Sequence, residues 1–243
     1  MVHDDARLIQ GADLQRRARE RMLADGARHV GWKAGFGAQA SRETLAIDAP
    51  LVGFLTDRSV LPADGSAPPV DLGGWTRAIA EAEIAVRVGH DLPAEADESE
   101  VLAAVVAVAP AIELADIDIP PSAESVSAIL AGSIFHRAVM LGEERATPGG
   151  WPAGELRVRV LHESADGVRT ELEIDDVEAF PGTTGEVLRT CARMAGMVGP
   201  GLCAGDVVIL GSVLAPIPMA PGDRFVHTLV GSPTLEVLAD GRP

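Results

Sequence analysis

Hydrophobic positions in this chain fall mostly in short runs separated by turns, and only three stretches have the spacing expected of a helix. The first stretch ends at Gly26. The second follows Asp97, which is a candidate N-cap, with Ser99 as the other candidate. The third follows a turn rich in glycine and threonine. We therefore predict helices over residues 5–29, 98–108 and 184–196.

The other apolar runs predict strands, because they alternate with polar residues or are rich in β-branched side chains. They lie near residues 81–88, 108–116, 155–161, 169–174, 207–212 and 223–230. Strands outnumber helices without regular alternation, which favours an α+β fold over a βαβ arrangement. The length allows one β-rich domain or two units. We predict an N-terminal helical and β lobe over residues 1–75 and a main domain over residues 76–243.

Composition and charge narrow the class of protein. Hydrophobic residues make up 47% of the chain, which fits a folded globule. The formal net charge of −16 argues against nucleic acid or an anionic membrane as a partner. There is no apolar span of about 18 residues, and the start at Met1 is acidic, so we expect a soluble, cytoplasmic protein. Cys191 and Cys203 are isolated, which predicts neither a disulfide scaffold nor a zinc site.

Lys33 is the only lysine among the 20 lysine and arginine residues, and it lies in the apolar, glycine-flanked segment 30–37. An ammonium group can lose its proton when it is desolvated, whereas a guanidinium stays charged. Lys33 is therefore a candidate general acid or base. The alternative is a structural lysine whose aliphatic stem packs on Trp32.

Three carboxylates stand in apolar surroundings. Glu81 and Glu83 are two residues apart in a predicted strand, so they project from the same face, and Glu113 interrupts a later apolar run. Charges in such positions are costly unless something positive lies between them. Oxygen ligands without histidine or cysteine suit Mg²⁺ or Mn²⁺ rather than zinc. The alternative is that the first two glutamates line a solvated edge and pair with Arg77 or Arg87.

Several short motifs occur in one order and carry a family resemblance. They are Gly31-Trp32-Lys33-Ala34-Gly35-Phe36, Val52-Gly53-Phe54-Leu55-Thr56-Asp57, Glu81-Ala82-Glu83-Ile84-Ala85 and Ala111-Ile112-Glu113-Leu114-Ala115-Asp116. The stretch of residues 204–212 and the proline-rich segments after it agree with them. Together they resemble the fumarylacetoacetate hydrolase superfamily, specifically its branch of 2-keto-4-pentenoate hydratase and 4-oxalocrotonate decarboxylase. The resemblance spans roughly residues 28–235.

The resemblance implies a mixed β-roll or sandwich with flanking helices, in which residues 76–243 form the metal-binding catalytic domain, and a homo-oligomeric assembly. It also implies Mg²⁺ or Mn²⁺ held by Glu81, Glu83 and Glu113. The cation would take the carboxylate and 2-oxo oxygen of a small 2-oxo acid and stabilise the enolate through which the reaction passes. Lys33 would then move a proton to or from carbon.

The implied reaction is that of a lyase of the hydratase type, which adds water to a 2-oxo or 2-hydroxy enoate. A decarboxylase of the 4-oxalocrotonate type is the first alternative, because residues 53–58 resemble that branch slightly more. Further alternatives are a redirected biosynthetic member, an acylpyruvate C–C hydrolase and a catalytically silent partner subunit. The hydratases carry a stretch rich in Asp and Asn where residues 124–133 are largely apolar, so the substrate stays open.

His136 and Ser212 are further candidates for catalytic roles. His136 follows an apolar stretch and is either directed into a pocket or a satisfied core histidine. Ser212 follows Gly211 at the end of a predicted strand, where its hydroxyl or a backbone N–H is suited to hold a substrate carboxylate. The alternative for Ser212 is an ordinary turn. Asp116 is expected on the strand face opposite Glu113, where it anchors a loop or pairs with arginine.

Overall fold

The computed structural model describes residues 5–65, 69–152 and 154–241. Most of the acidic start, residues 1–4, lies outside the described residues. The helices are α1 (Ala6–Ala24), α2 (Gln39–Leu45), α3 (Glu98–Ala103), α4 (Val126–Ala131) and α5 (Thr184–Val198). The strands are β1 (His29–Gly35), β2 (Leu51–Thr56), β3 (Val60–Leu61), β4 (Val70–Asp71), β5 (Ala78–Val88), β6 (Val105–Asp116), β7 (His136–Leu141), β8 (Arg145–Ala146), β9 (Val158–Glu163), β10 (Arg169–Ile174), β11 (Val207–Ser212), β12 (Ile217–Pro218), β13 (Arg224–Leu229) and β14 (Leu235–Asp240).

A large mixed sheet curls into a roll. Its main path has the order β2-β1-β11-β5-β6-β7-β3, with β12 paired to β5 and β8 paired to β6. The strands at the two ends of this path, β2 and β3, are joined by one short 3₁₀ turn at Asp57–Ser59, which brings the two edges together. A second sheet, in the order β10-β9-β13-β14-β4, packs on the outside of the roll. Mixed sheets with flanking helices confirm the predicted α+β class.

The large sheet is buried on both faces. The outer face packs against α5 and the second sheet through residues such as Ile84 and Ile112. The inner face lines the roll with Ala85, Ala111 and Ile209. Side chains alternate between faces along a strand, so odd-numbered residues of β5 and β6 point into the roll. Glu81, Glu83 and Glu113 are odd-numbered residues of these two strands, so their side chains point into the roll.

The helix predicted over residues 98–108 is correct in its first half only. The Asp97 carboxylate accepts the N–H of Glu100 at 2.9 Å, and the Glu100 carboxylate accepts the N–H of Asp97 at 2.7 Å, so Asp97 is the N-cap of a capping box. The helix nevertheless ends at Ala103, and β6 begins at Val105. The β-branched residues that follow pair with β5 and are mostly buried. This pairing outweighs the spacing of apolar residues that predicted a longer helix.

The large sheet takes strands from both predicted units. β1 and β2 fall within residues 1–75, and β1 pairs in parallel with β11, where Lys33 lies opposite Ile209. The division at residue 75 stays a prediction, and the site described below draws on both sides of it. In the described ranges, no helix combines the length and the apolar character that a membrane crossing requires.

Candidate active site

Three glutamates meet on the inner face of the roll. Glu81 lies directly opposite Glu113 in the antiparallel pair of β5 and β6, and Glu83 lies two residues further along β5 on the same face. One carboxylate oxygen from each lies within 4.8 Å of the other two. Glu83 and Glu113 are fully buried, whereas Glu81 is half-buried and lines a cleft. The structure therefore brings the three predicted ligands together.

Two buried oxygens of this cluster, Glu83 Oε1 and Glu113 Oε2, have no hydrogen-bond partner among the described residues. The other oxygen of Glu83 accepts the backbone N–H of Gly211 at 2.8 Å. Gly211 lies in an irregular part of β11 with a φ of 99°, a conformation that glycine adopts without strain. Unpartnered buried acceptors are rare in proteins, and carboxylate oxygens in this arrangement suit a hard cation.

The three carboxyl groups differ in pKa for physical reasons. Burial raises the pKa of Glu81 to about 7, and the charge of Glu113 adds to this shift. Burial also raises the pKa of Glu83 well above its usual value, helped by the charges of Glu113 and Glu81. Burial acts to raise the pKa of Glu113 as well, but the charge of Lys33 and the hydrogen bond from His136 outweigh it and lower that pKa. Glu113 is therefore the acid that stays ionised most readily.

Lys33 is 1% exposed, and its ammonium donates to Glu113 Oε1 and, at 3.0 Å, to the carbonyl of Ile134. Its ion pair is with Glu113, the glutamate that lies opposite Glu81 in the sheet. An ammonium has three N–H donors, so one is left for a ligand in the cleft that Lys33 lines. Trp32 packs in the core on the other face of β1, so it does not hold the lysine stem.

His136 is not among the residues that line the cleft. Its Nδ1 lies 2.7 Å from Glu113 Oε1, and its Nε2 lies 2.8 Å from the hydroxyl of Ser59. With a proton on Nδ1, the imidazole donates to Glu113 and fixes that carboxylate from behind. Both ring nitrogens of His136 thus have a hydrogen-bond partner, which favours a core histidine over one directed into a pocket. We expect His136 to position Glu113 rather than to contact substrate.

Residues 133–135 form a left-handed turn beside Lys33. Their φ angles are 51°, 56° and 63°, a region that costs roughly 1–2 kcal/mol for each residue with a side chain. The Ser133 hydroxyl fixes the turn to the edge strand β2, because it accepts the N–H of Phe54 and donates to the carbonyl of Phe54, both at 3.1 Å. The turn directs the carbonyl of Ile134 at the lysine. Strain of this kind is typical of functional sites.

We expect Ser133→Ala to lower the free energy of unfolding by about 1–3 kcal/mol, because both backbone groups of Phe54 lose a partner. We also expect kcat to fall more than KM changes, since the carbonyl that orients Lys33 shifts. Ser127→Ala is the matched control, because Ser127 donates to the Arg7 carbonyl at 2.8 Å without lining the cleft. Chemical denaturation and steady-state kinetics of both variants measure these effects. A normal kcat in Ser133→Ala would mean that the turn is only structural.

The glutamates lie at the inner end of a cleft, which Glu81 lines and next to which Glu83 and Glu113 are buried. Ser212 is 6% exposed and lines this cleft, and its hydroxyl has no hydrogen-bond partner in the described part of the chain. It lies opposite Glu83 in the pairing of β11 with β5. The Ser212 hydroxyl is thus available to a ligand at the glutamates. The neighbouring backbone N–H of Gly211, by contrast, is already bound to Glu83.

Asp116 lies apart from the cluster. Its carboxylate accepts the backbone N–H groups of Thr76 and Arg77, each at 2.8 Å, and binds the guanidinium of Arg137 at 3.2 Å. It therefore anchors the segment that leads into β5, which is the expected structural role.

Sequence reasoning missed three contributions to the site. Ser59 was not identified as the partner of His136, and no signal in residues 133–135 indicates a left-handed turn, because none of them is glycine. Phe180 and Pro181 reach the cleft from the loop before α5. The glycine-rich turn that follows them predicted a loop, but nothing in the sequence indicated that this loop reaches the cleft.

This chain is similar to known proteins over most of its length. The chain is 28% identical over 215 residues to 2-hydroxyhexa-2,4-dienoate hydratase of Comamonas testosteroni, which covers 88% of this chain and 79% of the relative. It is 27% identical over 223 residues to 4-oxalocrotonate decarboxylase of a Pseudomonas species, covering 91% and 83%. The solved structure of 4-oxalocrotonate decarboxylase from Pseudomonas putida G7, complexed with magnesium and adipate, superposes with a TM-score of 0.78 at 24% identity, covering 96% and 85%.

The family model described as fumarylacetoacetate (FAA) hydrolase C-terminal matches residues 26–237, which is most of the chain and includes every residue of the site. The order of motifs, the rolled sheet and the family match agree with one another. The chain therefore belongs to the fumarylacetoacetate hydrolase family.

Proposed function

We propose that this protein is a divalent-metal-dependent lyase of the hydratase type that acts on a small 2-oxo acid. The observation that carries the proposal is the cluster of Glu81, Glu83 and Glu113, with its two unpartnered oxygens at the inner end of a cleft. Lys33 and Ser212 line the same cleft. Both branches of relatives, the hydratase and the decarboxylase, are named as enzymes on acids of this kind.

The residues of the cluster fit Mg²⁺ or Mn²⁺. All three donors are carboxylates, and the sulfur and nitrogen ligands that favour zinc are absent from the group. The related decarboxylase has been solved with magnesium, which supports the same class of ion here. Such a cation, when bound, supplies electrostatic stabilisation for negative charge that develops on the 2-oxo oxygen. The three glutamates of this chain would hold it.

The other groups act on the substrate itself. The unpaired Ser212 hydroxyl is suited to donate to the substrate carboxylate, and the third N–H of Lys33 is left for a ligand in the cleft that Lys33 lines. Glu113 and the carbonyl of Ile134 orient the side-chain nitrogen of Lys33. As an ammonium it would donate a proton to substrate carbon, and as the neutral amine that results it would take a proton back.

Decarboxylation of the 4-oxalocrotonate type is the second candidate, because relatives of that name match this chain nearly as well as the hydratase. An acylpyruvate C–C hydrolase would want a water-activating His-Glu pair from near the N-terminus, and no histidine lines the cleft in the described residues. A silent subunit would have no need for an intact lysine and three converging acids. The homo-oligomeric assembly and the cytoplasmic location stay predictions.

Mass spectrometry separates the candidates. The protein is incubated with Mn²⁺ and a panel of 2-hydroxy-dienoates and 2-oxo-enedioates, and the products are identified by mass. We expect the gain of one water by a monocarboxylic dienoate. Loss of carbon dioxide from a dicarboxylate alone would assign the decarboxylase instead, and turnover of neither class would contradict the proposal.

The metal-free protein should lose stability as the pH rises. The folded pKa of Glu81 is about 7, above its usual value of 4.5, and the pKa of Glu83 is also raised. The stability that these two groups contribute is therefore present below about pH 4.5, and it is lost as the pH rises through their folded pKa values. Glu113 has a lowered pKa and changes little in this window. We expect the Tm of chelator-treated protein to fall between about pH 5 and pH 8, and Mn²⁺ to flatten or reverse the slope. A rising Tm without metal would contradict this.

A further inference from the structure

The lining of the cleft is mostly apolar and comes from separate segments of the chain. Apart from Lys33, Ser41, Glu81 and Ser212, its side chains are apolar, and they include Phe36, Ile79, Ile117, Phe135, Phe180 and Pro216. Three of the five phenylalanines of the chain are among them, although aromatic residues make up only 3% of the sequence. A ligand held at the glutamates would extend its tail between these side chains.

Two of these rings are held by strained backbone. Phe36 and Phe135 have φ angles of 59° and 63°, which glycine would adopt without cost. Their ring centroids lie 6.2 Å apart with the planes inclined by 57°, an arrangement that aromatic pairs favour. Strain that is kept at two aromatic residues facing one cleft indicates that the rings have a role there.

Positive charge in the cleft is confined to its inner end. Among the described residues that line it, Lys33 is the sole cation, and it is already paired with Glu113. Arg42, the residue after the lining residue Ser41, pairs with Glu186 at 2.8 Å. A carboxylate at the outer end of a ligand would therefore lose its hydration among apolar side chains without gaining a cation.

We propose that the substrate is a 2-oxo monocarboxylate with an uncharged, apolar tail up to the size of a phenyl ring, and that the cleft discriminates against a second carboxylate. The inference rests on the proposed function, in which the 2-oxo acid end lies at the glutamates. The apolar side chains that line the cleft suit such a tail. Phe36, Phe135 and Phe180 set the specificity.

The test measures the binding of four 2-oxo acids to the Mn²⁺-loaded protein by calorimetry. We expect 2-oxo-4-phenylbutanoate to bind at least about tenfold more tightly than pyruvate, because its tail fills the apolar part of the cleft. We expect 2-oxoadipate to bind at least about tenfold more weakly than 2-oxohexanoate, which has the same number of carbons and no second carboxylate.

Two variants test the residues responsible. Phe180→Ala should remove most of the advantage of the phenyl compound while the affinity for pyruvate stays within about twofold, because pyruvate does not reach that wall. Ser41→Arg adds a cation to the lining on the exposed helix α2, and it should bring the affinity for 2-oxoadipate to that of 2-oxohexanoate or above.

The outcomes separate this inference from the proposed function. Binding of 2-oxoadipate as tight as that of 2-oxohexanoate in the unmodified protein would overturn the inference alone. So would a phenyl compound that binds no better than pyruvate. If none of the four acids bound in a Mn²⁺-dependent way, the proposed function and the inference would fail together.

Discussion

Replacing Lys33 with arginine is expected to reduce turnover by about a hundredfold or more while the affinity for Mn²⁺ changes little. Arginine keeps the positive charge beside Glu113 but does not exchange a proton near neutral pH. The variant therefore separates proton transfer from electrostatic anchoring. Steady-state kinetics with a 2-oxo acid substrate and calorimetry with Mn²⁺ measure the two effects. Near-normal turnover would make Lys33 a fixed charge and nothing more.

The larger guanidinium also has to fit a tight position, and a second variant addresses this. A Cβ at Gly53 would lie 3.1 Å from Lys33 Cγ, so the stem has little free space. Lys33→Met has about the length of the lysine stem without its charge, and we expect it to lose turnover as well. Because Lys33 is the only lysine, amine-selective labelling reports only this side chain and the N-terminus. Mn²⁺ together with oxalate should protect the side chain from the label.

Replacing Glu83 with glutamine is expected to weaken Mn²⁺ binding by more than about a hundredfold. The loss of a residue that only hydrogen-bonds a metal ligand already lowers metal affinity by about 10- to 100-fold. Glutamine preserves an acceptor for the N–H of Gly211, so the bulge of β11 should persist. The same variant should raise the Tm of the metal-free protein at about pH 8, because a buried carboxyl with a raised pKa no longer has to ionise there.

The matched control is Glu144→Gln, which removes a carboxylate that pairs with Arg87 towards the end of β5. This pair is partly exposed, so its loss should change stability little and leave the Mn²⁺ affinity unchanged. Calorimetry and thermal denaturation of the two variants are compared in the same buffer. Unchanged Mn²⁺ affinity in Glu83→Gln would show that the cluster is not the metal site.

The grouping of the acids was largely predictable from the sequence. The two-residue period of a strand alone puts Glu81 and Glu83 on one face. Their meeting with Glu113 required the register of β5 and β6, in which Glu81 lies opposite Glu113. That register depends on the connection between the strands, where the sequence predicted a longer helix. The family resemblance supplied the third ligand before the register was known.

The other features of the site could not be predicted from the sequence, because they depend on contacts between residues that are far apart in the chain. Lys33 lies on β1, which is separated from β5 by β11, so its pairing with Glu113 depends on the curvature of the whole roll. The left-handed turn at Ser133 opposes the conformational preference of every residue in it, and tertiary contacts stabilise it. Local sequence patterns predict a site well where it lies on one face of one strand, and poorly where several strands must come together to form it.

We propose that a divalent cation at the three glutamates is required for chemistry on a 2-oxo acid. The most direct measurement follows the consumption of 2-hydroxypenta-2,4-dienoate by chelator-treated protein before and after the addition of Mn²⁺, with Glu83→Gln alongside. We expect turnover to be negligible without metal, to recover with Mn²⁺ in the unmodified protein, and to stay low in Glu83→Gln at the same Mn²⁺ concentration. Full turnover by the chelator-treated protein, or equal recovery by Glu83→Gln, would contradict the claim.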